Sequence, residues 1–459
     1  MHFTELVDLA SERLGGAVLE ANDEFFAPKE NLLKPAKPIF IEGKYTDRGK
    51  WMDGWETRRR RTPGYDWCII KLGLAGIPRG IVVDTAHFKG NYPQSCSLEA
   101  CDGLAAAQWT EILPDSPLKG DCENLFSLDT RRRATHLRFK IYPDGGVARL
   151  RVFGEVEAAL SYSGEVDLAA VENGGLVVAS SDMFFGSRQN LIMPGSALNM
   201  GDGWETRRRR GPGHDWVVIQ LGAAGALHRV EVDTSHFKGN YPDSCSLEAC
   251  DSAGAPVGFI LSQTKLQPDT RHIFRDEIQS TGPTSYVRFN IFPDGGVSRL
   301  RLYGYRAAPP LLKSELLACC GSQEWTKRMR ESQPFASAQQ MLEASDRIWN
   351  DLGPFDWLEA FAAHPRIGEA SADPRATREQ SGVTSAPPET LARLAAANRE
   401  YEKRFGHIYI VCATGKTAAE MLATLESRLN NDVETELRVA AGEQSKITRL
   451  RLEKLLESK

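Results

Sequence analysis

At 459 residues, with 41% hydrophobic and 25% charged side chains, the chain has the composition of an ordinary globular protein and the length of about three domains. Its net charge of −5 excludes a general attraction to nucleic acid or anionic membrane, and no apolar run approaches the roughly 20 residues that span a bilayer. Nine cysteines without a CxxC pair exclude a zinc pattern and read as reduced thiols of a cytoplasmic protein, and the first residues lack the basic start and apolar core of a secretory signal.

In chain order, the first part reads as β. Trp67-Cys68-Ile69-Ile70 and Ile81-Val82-Val83 predict buried strands. Leu137, Phe139 and Ile141 alternate with Arg138, Lys140 and Tyr142, the period of a strand with one buried face. Pro143-Asp144-Gly145-Gly146 signals a turn, and Arg149-Leu150-Arg151-Val152 opens a second alternating run.

This segment is then repeated. Trp55-Glu56-Thr57-Arg58-Arg59-Arg60-Arg61 returns as Trp204-Glu205-Thr206-Arg207-Arg208-Arg209-Arg210, and His87-Phe88-Lys89-Gly90-Asn91-Tyr92-Pro93 as His236-Phe237-Lys238-Gly239-Asn240-Tyr241-Pro242. The interval far exceeds the roughly 20–50 residues of a solenoid unit, so the chain carries a duplicated domain, residues 1–155 and 156–306. Extra residues in the first copy fall near 34–50. Many short strands with Gly/Pro turns predict a β-sandwich in each copy.

Residues 307–310, Ala-Ala-Pro-Pro, read as a linker to an all-α domain over 311–459. Pro387-Pro388 opens a helix in which Leu391, Leu394, Asn398, Tyr401 and Phe405 share a face and which Gly406 stops. Thr417 and Glu420 have the spacing of a capping box. On a wheel through residues 447–455, Arg451 falls among Ile447, Leu450 and Leu455, where a buried guanidinium needs an anion; Arg449 lies on the polar side.

The residue types of the repeated segments suit an anion rich in N–H and C=O groups. Arginine takes carboxylate bidentately, Asp and Glu accept from amide N–H, and histidine moves protons near neutral pH. Trp55 and Trp204 read as core anchors rather than stacking platforms. Consecutive arginines in extended chain point alternately, so about half of each run serves internal pairs or solvent. Asp53, Glu56, Asp84 and His87 offer hard metal ligands, but no ligand-spacing motif supports a metal and none is assigned. In the last third, Pro365 disfavours helical geometry at His364, placing that imidazole at a helix C-terminal end, where the dipole favours its protonated form.

The paired WETRRRR and HFKGNYP segments resemble the two repeats of allantoicase (allantoate amidinohydrolase) over residues 1–306. That resemblance implies tandem jelly-roll β-sandwich repeats and hydrolysis of allantoate to ureidoglycolate and urea. On this substrate we assign Arg61 and Arg210 to the carboxylate, Glu56 and Glu205 to ureido N–H groups, His87 and His236 to proton transfer, and Lys89 and Lys238 to orientation or charge.

HPRIG, REQSG, KRFGHIYIVCATGKT and KITRLRL are similar to OHCU decarboxylase (2-oxo-4-hydroxy-4-carboxy-5-ureidoimidazoline decarboxylase) over 311–459. The resemblance implies an all-helical fold that releases CO2 to give (S)-allantoin. It casts His364 as principal acid/base, beside Pro365, and Glu379, grouped with it as catalytic, together with Gln380 as binders of ureido and ring groups. Arg451 would bind a carboxylate or ring oxygen, and backbone around Gly406, Ile408 and Ile410 would line the pocket. Ala376 departs from the pattern, which often has Ser there, removing a hydrogen bond. No cofactor is expected, because the substrate's conjugated ring accepts the electron pair as CO2 leaves.

The chain thus reads as a bifunctional urate-catabolic enzyme acting on small ureido acids. The resemblance further implies a homo-oligomer, and the fusion suggests association with allantoinase or other enzymes of the route. A different class of reading makes the sandwich pair a non-catalytic ligand-binding module, with only the decarboxylase active.

Overall fold

The computed structural model describes residues 2–105, 108–158, 160, 162, 164–279, 281–367 and 386–458. It divides into two compact units, residues 1–160 with 165–305, and residues 161–164 with 306–459.

In the first copy eight strands form one antiparallel ladder: β1 (Val7–Asp8), β2 (Ala17–Ala21), β3 (Asp66–Asp84), β4 (Ser95–Cys101), β5 (Thr110–Pro117), β6 (Glu123–Ser127), β7 (Ala134–Tyr142) and β8 (Arg149–Val156). Their order is β1-β8-β3-β7-β4-β5, with β2 and β6 also on β3. The 19-residue β3 makes this possible by serving two sets of neighbours. Its first part pairs with β7 and β2, and from Gly76 to Asp84 it pairs with β8 and β6. The chain changes partners around Gly73 and Gly76, where a Cβ would lie 2.6 Å from the Leu14 carbonyl oxygen and 2.1 Å from that of Glu155. Only glycine permits so close an approach.

Register then decides where the two ends of β3 fall. Asp66 pairs with Ile141 and Asp84 with Arg149, and only the turn between β7 and β8 separates those partners. Both ends of the long strand therefore meet at the turn carrying Pro143 to Gly146.

The second copy repeats the plan with β9 (Val166–Asp167), β10 (Leu176–Ser180), β11 (Asp215–Asp233), β12 (Ser244–Cys250), β13 (Pro256–Lys265), β14 (Arg271–Phe274), β15 (Thr284–Phe292) and β16 (Arg299–Arg306) in the same order. The predicted alternation is present: Leu137, Phe139 and Ile141 are buried with Cys68, Ile70, Leu150 and Val152. Trp55 and Trp204 join that core, each Nε1–H donating at 2.8 Å to a backbone carbonyl, of Asp23 and Asp182. They are anchors, as their residue type suggests.

Each copy also buries an arginine. Arg149, its side chain 3% exposed, meets Asp53 Oδ2 at 2.7 Å and donates to the carbonyls of Ala36 and Asp53 at 2.9 Å. Arg299 does the same with Asp202 at 3.0 Å. These pairs tie the loop before each WETRRRR segment to the sandwich. Burial pushes the Asp53 carboxyl up, but Arg149 and the Ile39 amide hold it below the usual carboxylate range.

The second unit is helical: α1 (Lys313–Cys320), α2 (Gln323–Glu331), α3 (Ala338–Asn350), α4 (Pro354–Ala362), α5 (Pro388–Phe405), α6 (Ala418–Arg428) and α7 (Val433–Glu457). The predicted face of α5 is buried at Leu394, Asn398, Tyr401 and Phe405, and Gly406 ends it at φ 76°. Thr417 and Glu420 form the expected reciprocal cap of α6.

Arg149→Ala strands a buried carboxylate, so it should lower stability by about 3–5 kcal/mol. Urea unfolding of the chain reads this; a loss below about 1 kcal/mol would mean the pair is solvated in solution.

Candidate active sites

In the first copy the repeated segments converge because both ends of β3 do. Thr57 N–H donates to the Gly145 carbonyl at 3.1 Å, Gly146 N–H to the Asn91 carbonyl at 2.8 Å, and Arg60 N–H to Asp144 Oδ2 at 2.8 Å. Within this knot Asn91 Nδ2 donates to Glu56 Oε1 at 2.6 Å. Burial raises the Glu56 carboxyl above its ordinary value, opposed by the Asn91 amide.

The arginine run alternates as extended chain requires. Arg58 pairs with Asp23 at 2.6 Å and Arg60 with the buried Asp66 at 2.5 Å. Arg59 and Arg61 are exposed and have no ion pair among the described residues. In the second copy Arg209 pairs with Asp215 at 2.6 Å, Asn240 donates to Glu205 at 2.5 Å, and Arg208 and Arg210 are exposed.

His87 and His236 have φ of 69° and 73°, a left-handed conformation that costs a non-glycine residue on the order of 1 kcal/mol. An aspartate holds each in place: Asp121 accepts from His87 N–H at 2.8 Å and Asp269 from His236 N–H at 2.7 Å. Each ring Nε2 lies against a backbone carbonyl, of Pro38 at 3.3 Å and of Ala197 at 3.0 Å. A carbonyl only accepts, so this contact puts a proton on Nε2, and in the neutral ring the lone pair is then on Nδ1. Lys89 and Lys238 extend into solvent, their Nζ 3.8 Å and 3.9 Å from the same aspartates. Among the described residues no hydrogen bond or ion pair joins His87 to Glu56 or Arg61. The knot thus has two parts, a Glu56–Asn91 pair and a His87–Lys89 loop held by Asp121 from the loop between β5 and β6.

In the helical unit, His364 follows α4, its N–H donating to the Phe361 carbonyl at 3.0 Å. It lines a hollow with Pro365, Tyr409, Ile410, Cys412 and Ile447. Of the backbone expected there, Ile410 takes part. Gly406 caps α5 and is exposed, while Ile408 packs against the helical core. Arg451 reaches the carbonyls of Ala318 and Cys319 at 3.5 Å, and its neighbours Ile447 and Leu450 face the hollow. Glu379 and Gln380 lie outside the described residues.

A buried arginine and a half-buried glutamate fix the wall over 409–412. Arg428 donates to the Ile410 carbonyl at 2.8 Å and to Glu436 Oε1 at 2.8 Å, and Tyr401 donates its hydroxyl to the same carboxylate. Glu443 accepts from Cys412 N–H at 2.8 Å and Lys446 at 2.6 Å; burial pushes its carboxyl up, and these partners hold it below the ordinary range.

Sequence reasoning passed over Asn91, Asp121 and Asp144 in the sandwich, and Arg428, Glu436 and Glu443 in the helices. Asn91 and Asp144 stand inside repeated segments, so their recurrence as Asn240 and Asp294 was a usable signal. Arg428 and Glu436 come from different helices, and no local pattern couples them.

The allantoicase repeat model matches residues 7–157 and again 166–307, and the OHCU decarboxylase model matches 308–453. A probable allantoicase of Burkholderia mallei is 50% identical over 316 residues, covering 65% of this chain and 94% of that protein. The crystal structure of allantoicase from Saccharomyces cerevisiae is 39% identical with a TM-score of 0.58, covering 65% of this chain and 93% of its own. A crystal structure of OHCU decarboxylase in the presence of (S)-allantoin is 43% identical with a TM-score of 0.29, covering 31% of this chain and 96% of its own.

The matches of the two tandem sandwich repeats and of the helical domain make the chain an enzyme with a hydrolase part and a lyase part. The chain belongs to the allantoicase family and carries an OHCU decarboxylase domain as its last third.

Glu436→Ala leaves Arg428 buried without its counter-charge and should cost about 3–5 kcal/mol. Helical ellipticity during urea unfolding measures it, and Glu436→Gln, which keeps the acceptor oxygen, should lose less. Equal losses would show that the charge is immaterial.

Proposed function

We propose that the chain catalyses two separate steps of urate breakdown: hydrolysis of allantoate to ureidoglycolate and urea in the sandwich pair, and decarboxylation of OHCU to (S)-allantoin in the helical domain. The observation that carries this is the succession of both family matches along one chain, with little between them. It also disfavours a purely ligand-binding role for the sandwiches.

In the hydrolysis, water replaces one ureido group at the central carbon and the C–N bond to urea breaks. Arg61 holds the substrate carboxylate, and its exposure, with no ion pair among the described residues, leaves the guanidinium available. Glu56, oriented by Asn91, accepts from the ureido N–H groups. His87, with Nε2–H fixed on the Pro38 carbonyl, uses Nδ1 to take the proton of the attacking water and returns it to departing urea. Lys89 supplies positive charge at the rim. Arg210, Glu205, His236 and Lys238 form the second copy of this set.

In the decarboxylation, the C–C bond to the carboxylate breaks, the conjugated ring takes up the electron pair, and a proton is then delivered to one face. His364 delivers it, with Glu379 and Gln380 orienting the ureido and ring groups and Arg451 binding an oxygen of the substrate. The two steps are not consecutive, since allantoin must first be opened to allantoate. Association with the ring-opening enzyme, allantoinase, would raise its effective concentration near both.

A cytoplasmic location accords with nine free cysteines and with the absence, among the described residues, of any helix long and apolar enough to cross a membrane. Self-association accords with Phe184 and Phe185, exposed at 58% and 61%.

His364→Asn should abolish stereospecific allantoin formation while urea release from allantoate continues; allantoin formed at the wild-type rate would refute the assignment. Glu56 accepts N–H most strongly when ionised, and burial raises its carboxyl, so allantoate turnover should fall on the acid side at a higher pH than an ordinary glutamate would give. Glu56→Gln should remove that acid limb. A limb that persists in the variant assigns the titration elsewhere.

A further inference from the structure

The outer face of β12, β13 and β15 in the second copy carries a hollow that neither active site uses. It is lined among others by His214, Ser246, Glu248, Arg288, Asn290 and Phe292. Register explains the cluster, because Ser246 faces Asn290 and Glu248 faces Arg288 across paired strands. Asn290, 3% exposed, donates to Ser246 Oγ at 3.1 Å and Glu248 Oε2 at 2.8 Å, and accepts from Arg288 Nε at 3.1 Å. The Arg288 guanidinium lies 4.5 Å over the Trp216 ring, and the His214 ring packs 4.7 Å from that of Phe292.

The first copy has the same position in a closed form. There Glu99 faces Arg138 across the strands, pairs with it, and takes a second cation from Lys140 at 2.6 Å. Burial pushes the Glu99 carboxyl up, but Lys140 and Arg138 hold it below the ordinary range. Ser97 is spent on the Tyr142 hydroxyl at 2.9 Å. In the second copy Asn290 stands in place of Lys140 and Phe292 in place of Tyr142. Among the described residues, neither Glu248 nor Arg288 forms an ion pair. The loss of one lysine has opened a closed trio into a guanidinium and a carboxylate set side by side around a neutral amide, with a hydroxyl, an imidazole and an apolar wall.

We propose that this hollow binds a small carboxylic acid bearing ureido or amide N–H groups, with Arg288 taking its carboxylate and Glu248 accepting from its N–H. A guanidinium suits a carboxylate bidentately, and an ionised glutamate only accepts, so the pair selects a molecule with both features on one short frame. Asn290 holds both partners at fixed spacing, and Phe292 lines the same hollow against the His214 ring. The inference stands on this face alone and is independent of the catalytic assignments.

Equilibrium binding of ureidoacetate, a stable acid of this class, to the full chain tests it. Asn290→Lys restores the trio that the first copy already accommodates, so the fold is retained; wild-type urea release from allantoate verifies this. The expected result is the loss of one bound ureidoacetate per chain in Asn290→Lys and in Arg288→Ala. An unchanged count in Asn290→Lys overturns the proposal, as does a wild-type chain that binds no ureidoacetate.

Discussion

A single strand that goes out and comes back organises each sandwich. β3 and β11 begin and end on aspartates, and in the first copy the pairing of Asp66 and Asp84 with residues on either side of one turn brings both ends together. Everything chemical in the first two-thirds hangs on that closure. Asp66, at the start of β3, takes Arg60 and so positions the arginine run; Asp84, at its end, leads within three residues to His87. Were β3 two independent strands, the repeated segments would have no reason to meet.

The two domains solve the same problem differently. The sandwich places its polar groups on loops and steadies them by short side-chain bonds and one buried Arg–Asp pair per copy. The helical domain builds its wall from an irregular segment after α5 and steadies it from behind, through Arg428 on the Ile410 carbonyl and Glu443 on the Cys412 amide. In each case a carboxylate whose charge is compensated inside the protein fixes backbone that would otherwise be free.

Much of the fold was legible in the amino-acid order because its signals are local. Alternation at Leu137, Phe139 and Ile141, the turn after them, the cap at Thr417 and Glu420, and the stop at Gly406 each need only a few neighbouring residues. Repetition exposed the sandwich pair, and motif resemblance supplied the two families. What stayed hidden depends on contacts between distant segments. Glu56 and Asn91 are linked only once the fold closes, as are Arg428 and Glu436. The left-handed backbone of His87 is likewise invisible locally, because Asp121, which holds it, comes from another loop. The resemblance groups Gly406 and Ile408 with Ile410; Tyr409 and Ile410 line the hollow, Gly406 caps α5 and Ile408 packs on the helical core.

The central claim is that one polypeptide carries two distinct catalytic pockets for ureido-bearing acids. Its most direct test is to follow, through successive purification of the intact chain, urea release from allantoate and the accelerated, stereospecific conversion of OHCU to allantoin. The account predicts that both activities co-purify in constant ratio. A homogeneous chain lacking either one would contradict it.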